Sequence, residues 1–146
     1  MTDPVVPRNP AMAVAASALK AQSSRMRIIA ENIANAQSTA QVAGGEPYRR
    51  QIPVFQAREI DGATGVTLAE VRPDMGDFRS EYDPSHPAAN AEGYVLRPNV
   101  DTLVEAMDMR EAQRAYEANL NVIETARWGS MAIWAVLVRI MPTPCV

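Results

Sequence analysis

An apolar stripe at helical spacing near the beginning of the chain restricts the fold more than any other feature. Its positions alternate in steps of three and four residues, which is typical of a helix that packs along another long helix. They are Met12, Ala15, Leu19, Gln22, Met26, Ile29, Ile33 and Ala36, and only Gln22 is polar. The opposite side carries Ser17, Lys20, Ser24, Arg27 and Glu31. The pattern predicts a helix over residues 11–36, after a flexible N-terminal segment, 1–10, that is rich in proline.

A second helical stripe lies in residues 99–127. It consists of Leu103, Val104, Met107, Ala115, Ala118, Val122 and Ala126, and charged residues interrupt it at positions 110, 111 and 114. Asp101 or Asn99 can cap the beginning of this helix. Two long helices with apolar stripes predict an antiparallel, coiled-coil-like hairpin of the N- and C-terminal helices.

The residues between the helices, 37–98, change to a loop and a small β insert. Residues 48–56 and 65–73 alternate as short strands, and the turn residues Gly62 and Gly65 lie between or beside them. Pro53 indicates an edge strand or a bulge. A Pro- and Asp-rich excursion follows, and residues 93–98 resemble one more strand. The fold class is therefore predicted as mainly α with a small β insert (α+β), with the insert at the tip of the hairpin.

The predicted helices carry more apolar surface than the chain can cover. Helices roughly 40 Å long have too little mutual contact to bury both stripes, and the insert is too small to cover them. Exposed apolar surface of this kind promotes association. The sequence therefore predicts a subunit of a larger assembly.

Composition argues against several classes of function. The net charge of −3 and pI near 5.2 disfavour attraction to nucleic acid or to an anionic membrane. The longest apolar run, residues 131–138, is too short to span a bilayer, so membrane contact is expected to be only indirect. The single Cys145 and single His86 predict no disulfide, metal site or catalytic set, so neither a cofactor nor an enzyme is expected.

Two weaker features allow other interpretations. The acidic loop 73–93 could hold a hard cation or an enzyme site, although its spacing matches no calcium loop, and a solvated loop is the simpler interpretation. Arg49 and Arg50, after Tyr48, could contact nucleic acid, but a salt-bridge role at a strand edge fits an acidic protein better.

The motif "AENIANAQS" at residues 30–38, followed by a Gly-containing loop and "PYRRQIPVFQ", resembles the N-terminal signature of the bacterial flagellar axial proteins. These are the rod, hook and hook-associated subunits. The segment from 97 to 126, with "PNVD" and "AYEANL", is similar to the C-terminal helix of the same family, especially in the proximal-rod subunits. The resemblance spans residues 11–127. Residues 128–146 do not share this resemblance. They form an atypical apolar tail, which indicates a divergent end or an altered reading frame.

The resemblance implies a structural subunit of the flagellar basal body. Its terminal helices would pair, and the subunits would stack as a helical polymer that lines the export channel. Partners would be other rod proteins, the basal-body base and the flagellar type III export apparatus. Export of that kind needs no cleaved signal peptide, and none is recognised in "MTDPVVPRNP".

The paired asparagines of the motif, Asn32 and Asn35, have two interpretations that are compatible with each other. Their amides can bind a neighbouring subunit, or they can end the helix, because asparagine tolerates the left-handed conformation. The expected subunit-interface residues are Leu19, Met26, Ile29, Asn32, Ile33, Asn35, Val104, Met107, Tyr116, Asn119 and Val122. The competing functions are a soluble helical-hairpin binding module or secretion-linked chaperone, and a small enzyme.

Overall fold

The chain has two long helices and four strands. The computed structural model describes residues 9–140, with side chains described as far as residue 129. The elements are α1 (Pro10–Asn35), β1 (Gln51–Ile60), β2 (Ala63–Pro73), β3 (Arg79–Tyr82), β4 (Tyr94–Arg97) and α2 (Thr102–Ile140). The expected α+β class, with two helices and small antiparallel sheets, is confirmed. The expected flexible segment lies almost wholly outside the described residues, and so do the end of the tail and Cys145.

Local capping sets where each helix begins. Asn9 caps α1 through a 3.1 Å hydrogen bond that it accepts from the amide of Ala11, and Pro10 occupies the first helical position, where its missing N–H costs nothing. Asp101 caps α2 by accepting hydrogen bonds from the amides of Leu103 and Val104. Of the two candidates for this cap, Asp101 is therefore the one that is used. Helix α2 then continues without a break across residue 127.

The two helices pack side by side and run antiparallel. Near the end of α1, Asn32 contacts Glu105 in the first turn of α2. Further back on α1, Arg25 forms ion pairs of 3.6 Å with Asp108 and with Glu111. At the beginning of α1, Pro10 lines a shared groove with Val122. Residues nearer the beginning of α1 therefore contact residues nearer the end of α2, as expected for antiparallel helices.

The ribbon formed by β1 and β2 lies along α1, so its expected place at the tip of the helical hairpin is wrong. Both strands contact α1, and the hydroxyl of Ser17 donates to the carbonyl oxygen of Val14 and accepts from the amide of Val66 in β2. Asp61 and Gly62 form the two-residue turn with positive φ values of 50° and 80°, which is the geometry that an Asp-Gly turn favours.

The remaining features of the strands follow from particular residues. The pairing of β1 with β2 shifts between Val54 and Phe55, one residue after Pro53, so the predicted irregularity at this proline is confirmed. Strand β3 lies inside the acidic excursion, where no strand was expected, and pairs antiparallel with β4. Val95 of β4 is buried, while Tyr82 and Tyr94 form an edge-to-face pair on the exposed side.

The buried face of α1 is rotated relative to the predicted stripe. Ala15, Ile29 and Ala36 are buried as expected, but Ile33 is 37% exposed. The face also includes Ala21, Ile28 and Asn32, which the stripe omits. The difference arises because α1 packs against α2 on one side and the β1–β2 ribbon on another. Ser17 therefore contacts β2 although it was assigned to the solvent side.

We expect Gly65→Ala to destabilise the fold. An added Cβ would lie 2.5 Å from Cδ1 of Ile60 and 2.7 Å from Oγ of Ser17, so the Ile60 side chain would have to change its rotamer and the contact with Ser17 of α1 would have to open. Overpacking of this kind costs about 1–3 kcal/mol. Urea unfolding measures the loss. Gly129→Ala is the control, because a Cβ there meets nothing within 4 Å. Equal stability of Gly65→Ala and the parent would contradict the close approach.

Candidate subunit interface

The side chain of Asn32 is the centre of a buried polar cluster. Its oxygen accepts hydrogen bonds from the hydroxyl of Tyr48 at 2.9 Å and from the amide of Gln51 at 2.8 Å. Its nitrogen donates to the carbonyl oxygen of Gln51 at 2.9 Å and to the Glu105 carboxylate at 3.2 Å. An asparagine amide has two donors and two principal acceptor positions. All four are used inside the subunit, so none remains for a neighbour.

Glu105 joins α2 to this cluster. Its side chain is 1% exposed, and its other carboxylate oxygen accepts a 2.6 Å hydrogen bond from Nε of Arg50. The same guanidinium lies 3.6 Å from Asp74 and 3.9 Å from Asp108. Burial alone would lower the pKa of Arg50, but the hydrogen bond and charge of Glu105, with the charges of Asp74 and Asp108, raise that pKa above its ordinary value. The Arg50 guanidinium is therefore charged at any physiological pH.

Asn99 anchors the chain that leads into α2. Its oxygen accepts from the amide of Arg50 at 2.9 Å, and its nitrogen donates to the carbonyl oxygens of Asp74 and Gly76. Arg49 donates to the same two carbonyls and stacks 4.0 Å above the Phe78 ring. The two arginines after Tyr48 thus make intramolecular contacts, which confirms the salt-bridge interpretation of Arg50, although its closest partner lies on α2.

Asn35 differs from Asn32 in its bonding. Its nitrogen donates back to the carbonyl oxygen of Glu31 at 2.8 Å, one turn earlier, and Asn119 makes the same bond to Ala115 at 2.7 Å. The side-chain oxygen of Asn35 accepts no hydrogen bond from the described residues. The expectation of a left-handed helix end is wrong, because Asn35 is helical and Ala36, the capping residue, has φ −61° and ψ −24°.

The expected interface residues fall into three groups by exposure. Ile29 and Asn32 are buried within the subunit. The half-buried ones are Leu19, Met26, Asn35, Tyr116 and Asn119. Ile33, Val104, Met107 and Val122 are exposed. Only the last group presents apolar side chains freely to another molecule.

The exposed apolar residues of α2 are concentrated near its beginning, on the side turned away from α1. Leu103 is 70% exposed, Val104 47% and Met107 63%. Trp128 is exposed further along the helix, and Arg110 and Arg114 interrupt the apolar surface. Val122 is 47% exposed but lies beside the beginning of α1. We call the apolar residues Leu103, Val104, Met107 and Trp128 the outward face of α2. Large apolar side chains arranged along one exposed face indicate contact with another protein.

The rest of the described surface offers little for other chemistry. Among the described residues, no group of His, Cys, Asp and Glu side chains is arranged to hold a metal ion. A groove of about 510 Å³ lies between α1 and the β1–β2 ribbon and is lined by Lys20, Arg58 and Glu59 among others. No helix within the described part of the chain has the length and apolar character needed to cross a bilayer.

Sequence reasoning missed Glu105 and the role of Asn99 in the cluster. Glu105 could not be recognised as a buried residue, because a single acidic residue in a helix of an acidic protein is usually exposed. A local signal did exist. Glu105 lies between Val104 and Met107, which were assigned to the buried stripe, yet a shift of one residue along α2 places Glu105, Ala112 and Tyr116 on the inward side instead.

Comparison with known protein families places the two helices in one class. The model described as "Flagella basal body rod protein" matches residues 12–40, which cover most of α1. The model described as "Flagellar basal body rod FlgEFG protein C-terminal" matches residues 91–127, which cover β4 and the first two thirds of α2. The fold and both matches define the class of flagellar basal-body rod proteins.

Individual relatives narrow the class. The chain is 48% identical to the flagellar basal-body rod protein FlgC of Agrobacterium fabrum, over 83% of this chain and 88% of the relative. It is 42% identical to FlgC of Escherichia coli O6:H1, over 78% and 86%, and 38% identical to FlgC of Bacillus subtilis, over 78% and 87%. The chain belongs to the family of the flagellar basal-body rod protein FlgC.

Family membership decides between the competing functions. The chain is a structural subunit of the rod in the basal body of the bacterial flagellum, with other flagellar components as partners. The family consists of structural rod proteins and not of enzymes, so the expectation of a non-enzymatic protein is confirmed. The chaperone and enzyme alternatives are removed on the same grounds.

The two asparagines should differ in their effect on the stability of the subunit. Asn32→Ala leaves the peptide groups of Gln51 and the Tyr48 hydroxyl without their partner, and buried unsatisfied groups cost about 1–3 kcal/mol. Asn35→Ala removes only a half-exposed bond to its own helix and should change the free energy of unfolding by less than about 0.5 kcal/mol. Urea unfolding of the two purified variants tests the difference. Equal losses would refute the central role of Asn32.

Tyr48 should make the subunit sensitive to alkaline pH. Burial, followed by the charges of Glu31 and Glu105, raises the pKa of Tyr48 above 10.0. The folded state thus favours the neutral phenol. This contribution is complete below pH 10 and is lost as the pH rises through the higher folded pKa. Tyr48→Phe should therefore be less stable at pH 8, by about 1 kcal/mol for the lost hydrogen bond, but should lose less stability between pH 9.5 and 11.

Urea unfolding at several pH values measures this slope. Tyr82→Phe is the matched control, because Tyr82 is 65% exposed and should leave the slope as in the parent. If the free energy of unfolding fell equally in the parent and in Tyr48→Phe between pH 9.5 and 11, the prediction would be contradicted.

Proposed function

We propose that this rod subunit joins its neighbours through the outward surfaces of its two terminal helices, and that copies and related subunits assemble as a helical polymer around the export channel. The observation that carries the proposal is the outward face of α2. The side chain of Met107, for example, is 63% exposed, although the opposite side of the same helix is closely packed. Burying such a side chain against a neighbour stabilises the contact by about 1.5–3 kcal/mol.

The helices also have the arrangement that a coiled-coil-like hairpin needs. The inward residues of α2, among them Glu105, Ala112, Tyr116 and Asn119, recur at steps of three and four, and their contacts with α1 are antiparallel. This spacing supports the hairpin of α1 and the first part of α2 as the core unit, with residues 37–98 as the insert.

Ile33, Val104, Met107 and Val122 are the residues that we propose as the apolar part of the interface. Leu19, Met26 and Tyr116 are half-buried and would contribute their exposed edges. Asn35 and Asn119 would contribute their side-chain oxygens, since their nitrogens are bonded within the helices. Ile29 and Asn32 support the interface from inside, because neither is accessible to a neighbour.

Passage through the flagellar type III export apparatus is part of the same proposal. A subunit of an axial structure outside the cytoplasm must be delivered to its place of assembly, and membership of the rod family supports this route. The basal-body base and the other rod proteins are the partners that we propose for the assembled subunit.

The interface is tested by placing a charge on each helix surface. Met107→Asp and Ile33→Asp should abolish swimming, because an unpaired carboxylate would be buried between subunits. Both side chains are exposed in the isolated subunit, so its thermal unfolding should change little. Lys20→Asp is the control, since this exposed residue lies on the side of α1 beside the ribbon.

Swimming in soft agar, rod assembly in isolated basal bodies and secretion of each variant are measured together. The proposal requires normal secretion and lost assembly for Met107→Asp and Ile33→Asp, and assembly for Lys20→Asp. Normal swimming of the Met107 variant, or equal loss in all three, would show that the interface is assigned to the wrong surface.

A further inference from the structure

The contact between α1 and α2 contains few side chains that fix how far one helix is displaced along the other. The only fully buried positions among the described side chains of α2 are Ala112 and Glu105, which are 0% and 1% exposed. On α1, the buried residues are Ala15, Ala21, Ile28, Ile29 and Asn32. The alanines pack almost equally well after a shift of one turn, because alanine has no side-chain atom beyond Cβ, so Ile28 and Ile29 are the large apolar side chains of α1 that resist such a shift.

The buried polar cluster behaves differently under such a shift. Residues three or four positions apart occupy the same helix face, so a displacement of one turn, about 5.4 Å, would bring Asp108 or Met109 to the place of Glu105. Met109 offers Arg50 and Asn32 no acceptor, and the side chain of Asp108 is one methylene shorter than that of Glu105, so it would not reach Arg50 and Asn32 at their present distances of 2.6 Å and 3.2 Å. The cluster therefore penalises the shifted arrangement through lost charged hydrogen bonds, which apolar packing cannot replace.

Ion pairs elsewhere between the helices are weaker determinants of this alignment. Arg25 reaches Asp108 and Glu111 at 3.6 Å, and these side chains are between 25% and 69% exposed. Pairs exposed to this extent contribute little, because water screens them and their side chains lose freedom. In the Arg50–Glu105 pair the arginine is 24% exposed but the carboxylate is 1% exposed, and a charge buried as deeply as that of Glu105 is strongly destabilised when its partner is lost.

We propose that the Arg50–Glu105 pair, together with Asn32, is a register lock that selects one alignment of α1 with α2. The alignment determines which outward residues of α1 lie next to which outward residues of α2. It therefore defines the surface that neighbouring subunits contact. The role is specificity of structure rather than net stability, as known for single buried polar groups at helix contacts.

The test replaces the charged pair with apolar residues of similar length. Arg50→Met/Glu105→Met removes the links to α2, while Asn32 keeps its bonds to Gln51 and Tyr48. Nitroxide labels at Ala30→Cys on α1 and Arg114→Cys on α2, in a Cys145→Ser background of the full chain, report the alignment through pulsed dipolar distance measurements. Both labelled positions are exposed.

The parent should give one narrow distance. The double variant should remain helical by circular dichroism but show a second distance population, displaced in proportion to a shift of about one turn. Arg25→Met, which removes the exposed ion pairs between the same helices, is the control and should keep the narrow distribution.

Two outcomes would overturn the proposal. A single unshifted distance in the double variant would assign the alignment to apolar packing, such as that of the buried Val100 before α2. Equal broadening in Arg25→Met would assign it to the sum of charged contacts. A double variant that loses its helices would also count against the proposal, because it would show that the pair is needed for folding itself and not only for the choice of alignment.

Discussion

The buried carboxylate of Glu105 is the point at which three distant parts of the chain meet. Arg50 approaches it from the beginning of β1, Asn32 approaches it from the last turns of α1, and Glu105 itself belongs to the first turn of α2. A charge in such a place is costly unless it is paired and hydrogen-bonded. The helices and the ribbon must therefore reach their final positions together, because no two of these segments complete the cluster alone.

This constraint explains why the two asparagines of one motif have different roles. They are three residues apart and so lie on one side of the helix, but Asn35 is the last residue of α1 whereas Asn32 lies one turn before its end. Asn32 points towards β1 and α2 and is enclosed, whereas Asn35 is half-exposed and bonds to its own backbone. The same residue type serves the interior at one position and remains available to a neighbour at the other.

Local chemistry could be predicted well from the sequence. The Asp61-Gly62 turn, the irregularity beside Pro53, the Asp101 cap and both helices depend on propensities that act within a few residues. The rotation of the buried face of α1 could not be predicted in this way, since it depends on the ribbon that packs beside it. Glu105 was missed for a related reason. A charged residue becomes an interior residue only when a partner such as Arg50, 55 positions away in sequence, is brought to it.

The unequal lengths of the helices have a consequence for symmetry. Helix α2 has 39 residues and α1 has 26, and the first residue of α1 lies beside Val122. About 18 residues of α2 therefore extend past the beginning of α1, a distance of roughly 27 Å at the usual rise per residue. At one end of the hairpin the last turn of α1 lies beside the first turn of α2, whereas at the other end α2 continues beyond the first residue of α1. A body with unlike ends has a direction, and where such bodies meet head to tail, the rotation from one to the next decides between a closed ring and an open helical array.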